Sequence, residues 1–306
     1  MINLIFTMTL NPSIDYVLRL NNLVIGETNR SFYEAKIPGG KGIMVSKLLN
    51  SLNIKSINIG FIGGFTGEFI EESLEKIGIK TKFTRIKDDT RINVKLKDKL
   101  ETEINARGPE IKEDEIKELF KILNEIEKED VVVLSGSIPH SLNECFYEDI
   151  IKELQKKNIN FVIDTTGEKL LKVLKYNPVL IKPNKEELEE LFGIKINSLT
   201  EIEPYAKKLI EMGAKNVIVS LGKEGAMYFN KDFSLYAPVV QGKLINSVGA
   251  GDSMIGGFLY GIENKLSKKE CFKWAVSSGT ATAFSEDIGS KEFIEEIYKK
   301  VVINNL

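Results

Sequence analysis

Asn246-Ser247-Val248-Gly249-Ala250-Gly251-Asp252-Ser253-Met254-Ile255-Gly256-Gly257-Phe258 sets two glycines around one alanine, then a carboxylate where an apolar helical pattern begins. Met254, Phe258 and Ile262 recur at i, i+4 and i+8, so the stretch reads as a turn feeding a helix N-terminus. Small residues let the amides of Gly249, Ala250, Gly251 and Asp252 converge on one point, where the helix dipole adds positive potential. Such a nest suits developing negative charge. Asp252 at its rim can take a proton from a hydroxyl while the nest stabilises a phosphoryl group in transfer. The same residues also make a plain glycine turn with Asp252 as N-terminal cap, and the motif alone leaves both readings open.

Working outward, the preceding chain alternates strands and helices. A charged helix over 110–128 leads to the strand Val131-Val132-Val133-Leu134, and a helix over 144–157 leads to Phe161-Val162-Ile163-Asp164. This is the pattern of a parallel sheet with right-handed crossovers. Ser135-Gly136-Ser137 stands at one strand end, where small hydroxyls can reach a ligand. Val179-Leu180-Ile181 delivers Lys182-Pro183-Asn184-Lys185-Glu186-Glu187 to a helix start. Asn184 and Glu187 are spaced as a capping box, the reading the pattern favours, with a pair that holds Mg²⁺ through water as the functional alternative. The strand 216–219 runs into Ser220-Leu221-Gly222-Lys223-Glu224-Gly225, whose glycines allow a ligand to approach the backbone or simply turn a hairpin. Helices over 268–285 and 291–301 close the chain.

The first hundred residues depart from this rhythm. An apolar strand over 3–10 enters the turn cluster Asn11-Pro12-Ser13-Ile14-Asp15, which places Asp15 at a loop mouth, free to accept two hydrogen bonds from a diol or to close an Asx turn. Segments 16–20 and 31–36 are strand-like with no helix between them. Gly39-Gly40-Lys41-Gly42 is a second glycine-rich helix start, where Lys41 can meet an anion. A strand over 56–61 and a helix over 66–77 follow. Then Ile92, Val94 and Leu96 alternate with Arg91, Asn93 and Lys95, and 101–106 pairs with that run as a hairpin. Segments 12–38 and 87–107 thus read as a small β-sheet lid inserted in one domain spanning 1–306. Its greasy face suggests a partner subunit. Arg91 is the best local candidate for gripping a phosphate carried by the substrate, since guanidinium binds phosphate bidentately.

Composition bounds these readings. The chain has 306 residues, 42% hydrophobic, with 42 Lys+Arg against 44 Asp+Glu and a net charge of −2, so no global field points to nucleic acid or to a membrane. Cys145, Cys271 and His140 fit no zinc spacing. The opening strand lacks a basic flank and a long apolar run, so the expected setting is cytoplasmic. Neither G-x-x-x-x-G-K-[ST] nor G-x-G-x-x-G occurs, which argues against a P-loop enzyme and against a nicotinamide dehydrogenase.

Taken in order, Asn11-Pro12-Ser13-Ile14-Asp15, Gly39-Gly40-Lys41-Gly42, Thr90-Arg91-Ile92-Asn93-Val94, Ser135-Gly136-Ser137-Ile138-Pro139, Lys182-Pro183-Asn184-x-x-Glu187 and Gly249-Ala250-Gly251-Asp252 resemble a ribokinase-like (PfkB) sugar kinase from end to end. The resemblance implies an α/β fold, a three-layer mostly parallel sheet flanked by helices, with the small lid. It implies ATP and Mg²⁺, a homodimer through the lid, and a ketohexose phosphate as acceptor. Residues 90–96 read most like members acting on fructose 1-phosphate, and next like those acting on tagatose 6-phosphate.

By that resemblance Asp252 is the base, and the amides of Gly249, Ala250, Gly251 and Asp252 form the anion hole. Asp15, Gly39, Gly40, Lys41, Arg91 and Ser137 hold the sugar phosphate. Lys182, Asn184, Ser220, Gly222, Gly225, Ser247 and Gly251 line the ATP site, and Asn184 and Glu187 position Mg²⁺ through water. Family members usually carry asparagine where this chain has Met44, so no sugar contact carries over to that position. A sugar-phosphate sensor on the same scaffold is the non-enzymatic alternative, which the intact Asp252 disfavours.

Overall fold

The computed structural model describes residues 2–306. In chain order the elements begin with β1 (Ile5–Thr9), β2 (Ser13–Arg19), β3 (Tyr33–Gly39), α1 (Lys41–Ser51), β4 (Ser56–Gly63) and α2 (Gly64–Lys76). There follow β5 (Lys80–Ile86), β6 (Arg91–Lys97), β7 (Glu101–Ile104), α3 (Glu113–Asn124), β8 (Val131–Ser135), α4 (Phe146–Lys156), β9 (Asn160–Asp164) and α5 (Gly167–Leu174). The remainder comprises β10 (Leu180–Ile181), α6 (Lys185–Phe192), α7 (Ile202–Glu211), β11 (Val217–Ser220), β12 (Ala226–Phe229), β13 (Ser234–Ala237), α8 (Ala250–Glu263), α9 (Lys268–Ala283), α10 (Lys291–Lys300) and β14 (Asn304–Asn305).

Ten strands form one sheet in the order β14-β13-β12-β11-β10-β9-β8-β1-β4-β5, parallel from β5 to β11 and antiparallel beyond. Strand alternation sorts the core into two layers. Val131 and Val133 of β8 pack with Leu48 of α1, Phe258 of α8 and Phe272 of α9, whereas Val132 and Leu134 pack with Leu119 of α3 and Ile150 of α4. The three-layer α/β arrangement follows. The chain leaves β1 for β4 on one side and returns to β8 on the other, which puts a topological switch point between β1 and β8, where open α/β sheets leave a crevice at their carboxyl edge.

The remaining four strands form a separate sheet, β3-β2-β6-β7. Ile14 packs on the cluster of Ile43, Ile62 and Ile70 and fastens this sheet to α1 and α2. Asp15 differs from the expectation that it would lie in a loop mouth. Asn11 and Pro12 break the chain for only two residues, Ser13 resumes a strand, and Asp15 is the third residue of β2, opposite Ile37 on β3 and Asn93 on β6. Strand β3 likewise runs on through Gly39, and Pro38 is tolerated because β3 is an edge strand. Strand β5 and helices α5 and α7 were not singled out from sequence.

Candidate active site

The carboxyl ends of β1 and β8, the starts of α1 and α8, and the inner face of the small sheet surround one cavity of about 700 Å³. Asp15, Gly39, Gly40, Lys41, Arg91, Ser137, Gly249 and Asp252 all line it. Residues spread over more than two hundred positions of sequence therefore meet in one place. Lys41 and Ser137 also line an adjoining cavity of about 420 Å³, together with Asp164, Thr165, Thr166, Lys169 and Glu187.

Asp252 sits in the first turn of α8 and is 8% exposed. Gly249 caps this helix at φ 78°, a left-handed conformation that glycine adopts without steric cost, and no side chain caps it. Ala250 N–H turns back to Ser247 C=O at 3.3 Å, so the first-turn amides of Gly251 and Asp252 are left for an outside acceptor. Burial pushes the Asp252 carboxyl up to about 7, the nearby Asp164 carboxylate adds to the rise, and Lys41 and Lys182 oppose it. A carboxyl poised near neutrality is suited to taking a proton from a hydroxyl.

The charges around it are paired with one another. Lys41 Nζ lies 2.8 Å from Asp164 Oδ2, and Lys182 Nζ lies 3.6 Å from Asp164 Oδ1. Burial opposes the Asp164 carboxylate, but Lys182 and Lys41 outweigh it and hold its pKa below the ordinary range. A Cβ built on Gly251 would come within 2.9 Å of Lys182 Nζ, so this ammonium stands against the start of α8. Cations and free amides thus converge where a transferring phosphoryl group would need both.

On the small sheet, Arg91 donates from Nη1 to Ala106 C=O at 2.8 Å and from Nη2 to Asn11 C=O at 3.0 Å, and its Nε is buried without a partner. Burial lowers its pKa, with Asp15 opposing. Lys95 Nζ lies 3.0 Å from Glu103 and 3.4 Å from Asp15. A Cβ on Gly39 would fall 2.6 Å from Asp15 Oδ1, so a larger residue there would displace that carboxylate. Met44 also lines the cavity, and its methyl rests where a Cβ of Gly249 would stand.

Asn184 and Glu187 form the capping box: Glu187 N–H donates to Asn184 Oδ1 at 2.7 Å, and Asn184 N–H donates to Glu187 Oε2 at 2.8 Å. The other Glu187 oxygen is uncommitted by the cap, and the residue faces the second cavity beside Asp164. No group of three or more His, Cys, Asp or Glu among the described residues is arranged to hold a metal unaided. That donor set fits an ion such as Mg²⁺, which arrives with phosphate oxygens and keeps several waters. Ser220, Gly222, Gly225 and Ser247 line neither cavity, nor do Lys182, Asn184, Ala250 and Gly251. Ser220 is tied to the strand end before Asn184 through its N–H to Pro183 C=O at 3.1 Å, which sets the β11 end beside the capping box.

Residues 8–292 match the model of the pfkB family carbohydrate kinases. The chain belongs to that family. It is 46% identical over 303 residues to a 1-phosphofructokinase of Bacillus subtilis (strain 168), covering 99% of this chain and all of that one. It is 34% identical over 309 residues to a tagatose-6-phosphate kinase of Staphylococcus epidermidis, covering 98% and 99%. Phosphofructokinase-2 of Escherichia coli, solved with substrates and products, superposes with a TM-score of 0.92 at 28% identity, covering 96% of this chain and 98% of that one. The α/β architecture and the sugar-kinase family read from the sequence stand.

Several residues around these cavities were given no role from sequence. Asp164 ends a parallel strand at the sheet's carboxyl edge, a position that signals ligands on its own. Asn93 and Lys95 share the polar alternation of Arg91, which places them on the same face. Asn11 and Ser13 lie within the quoted motif around Asp15, whereas Glu103 offered no comparable signal.

Proposed function

We propose that the protein transfers the γ-phosphoryl group of ATP to a ketohexose phosphate, fructose 1-phosphate ahead of tagatose 6-phosphate, yielding fructose 1,6-bisphosphate. The observation that carries this reading is the buried Asp252, its carboxyl near 7, at the uncapped start of α8 and lining a cavity that Arg91 and Lys95 of the small sheet also line. The names of the B. subtilis and S. epidermidis relatives support the choice and order of substrates.

In this reading the sugar lies between Asp15 and Asp252, with its existing phosphate toward Arg91 and Lys95 and its free primary hydroxyl toward Asp252. Asp252 takes the hydroxyl proton as the oxygen attacks the γ-phosphorus, and the amides of Gly251 and Asp252 with Lys182 stabilise the charge on the phosphoryl oxygens. Lys41, shared by both cavities, holds donor and acceptor together. Glu187, with Asn184 behind it, would hold Mg²⁺ through water, and the ion supplies charge neutralisation on the ATP phosphates. Ser220, Gly222, Gly225 and Ser247 are the proposed nucleoside side of the site.

The small sheet would act as a lid that excludes water, and its outer face as the surface of a homodimer. Ile92 and Ile104 on that face are 41% and 58% exposed, more than one sheet can cover alone. Sedimentation at the monomer mass under assay conditions would count against the dimer. No helix among the described residues is long and apolar enough to cross a membrane, and a cytoplasmic setting goes with ATP as donor.

ADP release measured with fructose 1-phosphate, fructose 6-phosphate and tagatose 6-phosphate tests the substrate assignment. The highest kcat/KM is expected for fructose 1-phosphate. Sugar-phosphate binding with no ADP formed would support the sensor instead.

A further inference from the structure

The Asp15 carboxylate is held from several directions. Ser13 Oγ donates to Oδ1 at 2.8 Å, Asn93 Nδ2 donates to the same oxygen at 3.0 Å, Lys95 stands 3.4 Å from Oδ2, and Gly39 closes the space behind. Asn93 is 6% exposed and spends its whole amide in this network. Its second Nδ2 hydrogen goes to Ser13 Oγ at 3.0 Å, and its Oδ1 accepts from Ala106 N–H at 3.2 Å. Donors and acceptors match only with the amide in this orientation, since Asp15 can only accept and Ala106 N–H can only donate.

Residues 106–107, just beyond β7, are held by three side chains of the cavity. Asn93 takes the Ala106 N–H, Arg91 donates to the Ala106 carbonyl, and Asn11 Nδ2 donates to the Arg107 carbonyl at 3.0 Å. Asn93 alone of the three also touches Asp15. We propose that Asn93 is a positioning residue of the acceptor site: bonded to Asp15 on one side and to Ala106 on the other, it aims the Asp15 carboxylate into the cavity only while the 106–107 backbone is docked. Sugar affinity is then coupled to docking of that segment, and ATP affinity is not. This rests on the reading of Asp15 as a sugar ligand.

Asn93→Asp separates the two halves of the role. It keeps an acceptor for Ala106 N–H, removes both donors, and sets a second carboxylate beside Asp15. The expected result is a rise of about 10- to 100-fold in KM for the sugar phosphate that the wild type turns over fastest, with KM for ATP within about twofold. Sugar-phosphate affinity of the variant, relative to wild type, should recover in part as pH falls to about 5, because Asp15 beside the new carboxylate raises one pKa of the pair against the opposing Lys95 and Arg91, and the proton taken up restores one of the two donated bonds. In an Asp15→Ala background the same change should add less than about twofold, because its route of action is gone. Ser13→Ala, which removes the other neutral donor, should raise the same KM by a smaller factor of about two to five.

Equal rises in both KM values, a full additional loss in the Asp15→Ala background, or unchanged sugar KM in both Asn93→Asp and Ser13→Ala would overturn the proposal. A wild type that turns over none of the sugar phosphates would instead remove the functional reading, and the Asn93 assignment with it.

Discussion

The carboxyl edge of the large sheet and the inner face of the small sheet both carry charge around the site, and they differ in what is left unpaired. At the edge Lys41 and Lys182 pair with Asp164, while Asp252 stands without an ion-pair partner among the described residues and its carboxyl is raised by burial. At the edge, Asp164, Asp252 and Lys182 are all nearly buried, stand at the ends of rigid elements, and leave Asp252 with a carboxyl near 7. On the small sheet the charges are arranged as partners: Lys95 with Asp15 and Glu103, Lys97 with Glu101, Arg91 with two carbonyls. Glu103 there is held below the ordinary carboxylate range, because Lys95 outweighs the burial that opposes it. A site that makes and breaks a bond needs a group held away from its preferred protonation state. A site that recognises needs groups already aimed, with little left to reorganise.

If that division of labour holds, the two faces fail in different kinetic constants. Asp252→Asn should fold and bind normally yet lose about 10²- to 10⁴-fold in kcat, because the amide is nearly isosteric and cannot accept the hydroxyl proton. A loss below about tenfold in single-turnover measurements would deny Asp252 its role as base. Arg91→Ala should leave KM for ATP alone and raise KM for the sugar phosphate about 10- to 100-fold, the range of a charge-assisted hydrogen bond. The reverse pattern, a weakened ATP with sugar untouched, would mean that the small sheet faces the other ligand.

The smallest expected effect is on stability, and it sharpens the contrast from the other side. Asp252 has its folded pKa raised above its unfolded value, so between about pH 4 and 7 the native state binds more protons than the unfolded chain. Its contribution therefore falls as pH rises through that window and is constant above it. Asp252→Asn lacks the penalty, so the Tm advantage of the variant over wild type should grow from pH 4 to 7 and then level off. Each kcal/mol should move Tm by about 2–4 °C. A constant Tm difference across the series would mean that the carboxylate is not destabilised by its burial.

Legibility followed the reach of the signal. Gly249 to Asp252 and Asn184 to Glu187 each act within one turn of helix, and local spacing shows both; the capping box favoured by pattern is present. Sequence reads Asp15 as a carboxylate at a loop mouth, because Pro12 reads as a turn and the register with Asn93 and Ile37 is invisible before β2, β3 and β6 meet. Asp164 stands at a strand end, a position that points to ligands but not to a role, and its pairing with Lys41, 123 positions upstream, and with Lys182, just beyond β10, exists only in the fold.

Sequence by itself determined the alternation that makes a parallel sheet, the polar-apolar strand of Arg91, and the turn that aims α8, since each depends on periodicity or on the conformational freedom of small residues. Tertiary structure alone decided which ammonium faces which carboxylate, that Arg91 and Asn93 hold the backbone beyond β7, and that Asp252 lies near neutrality. Desolvation and Coulomb energies depend on distance and on burial, and neither exists until segments far apart in sequence are packed together.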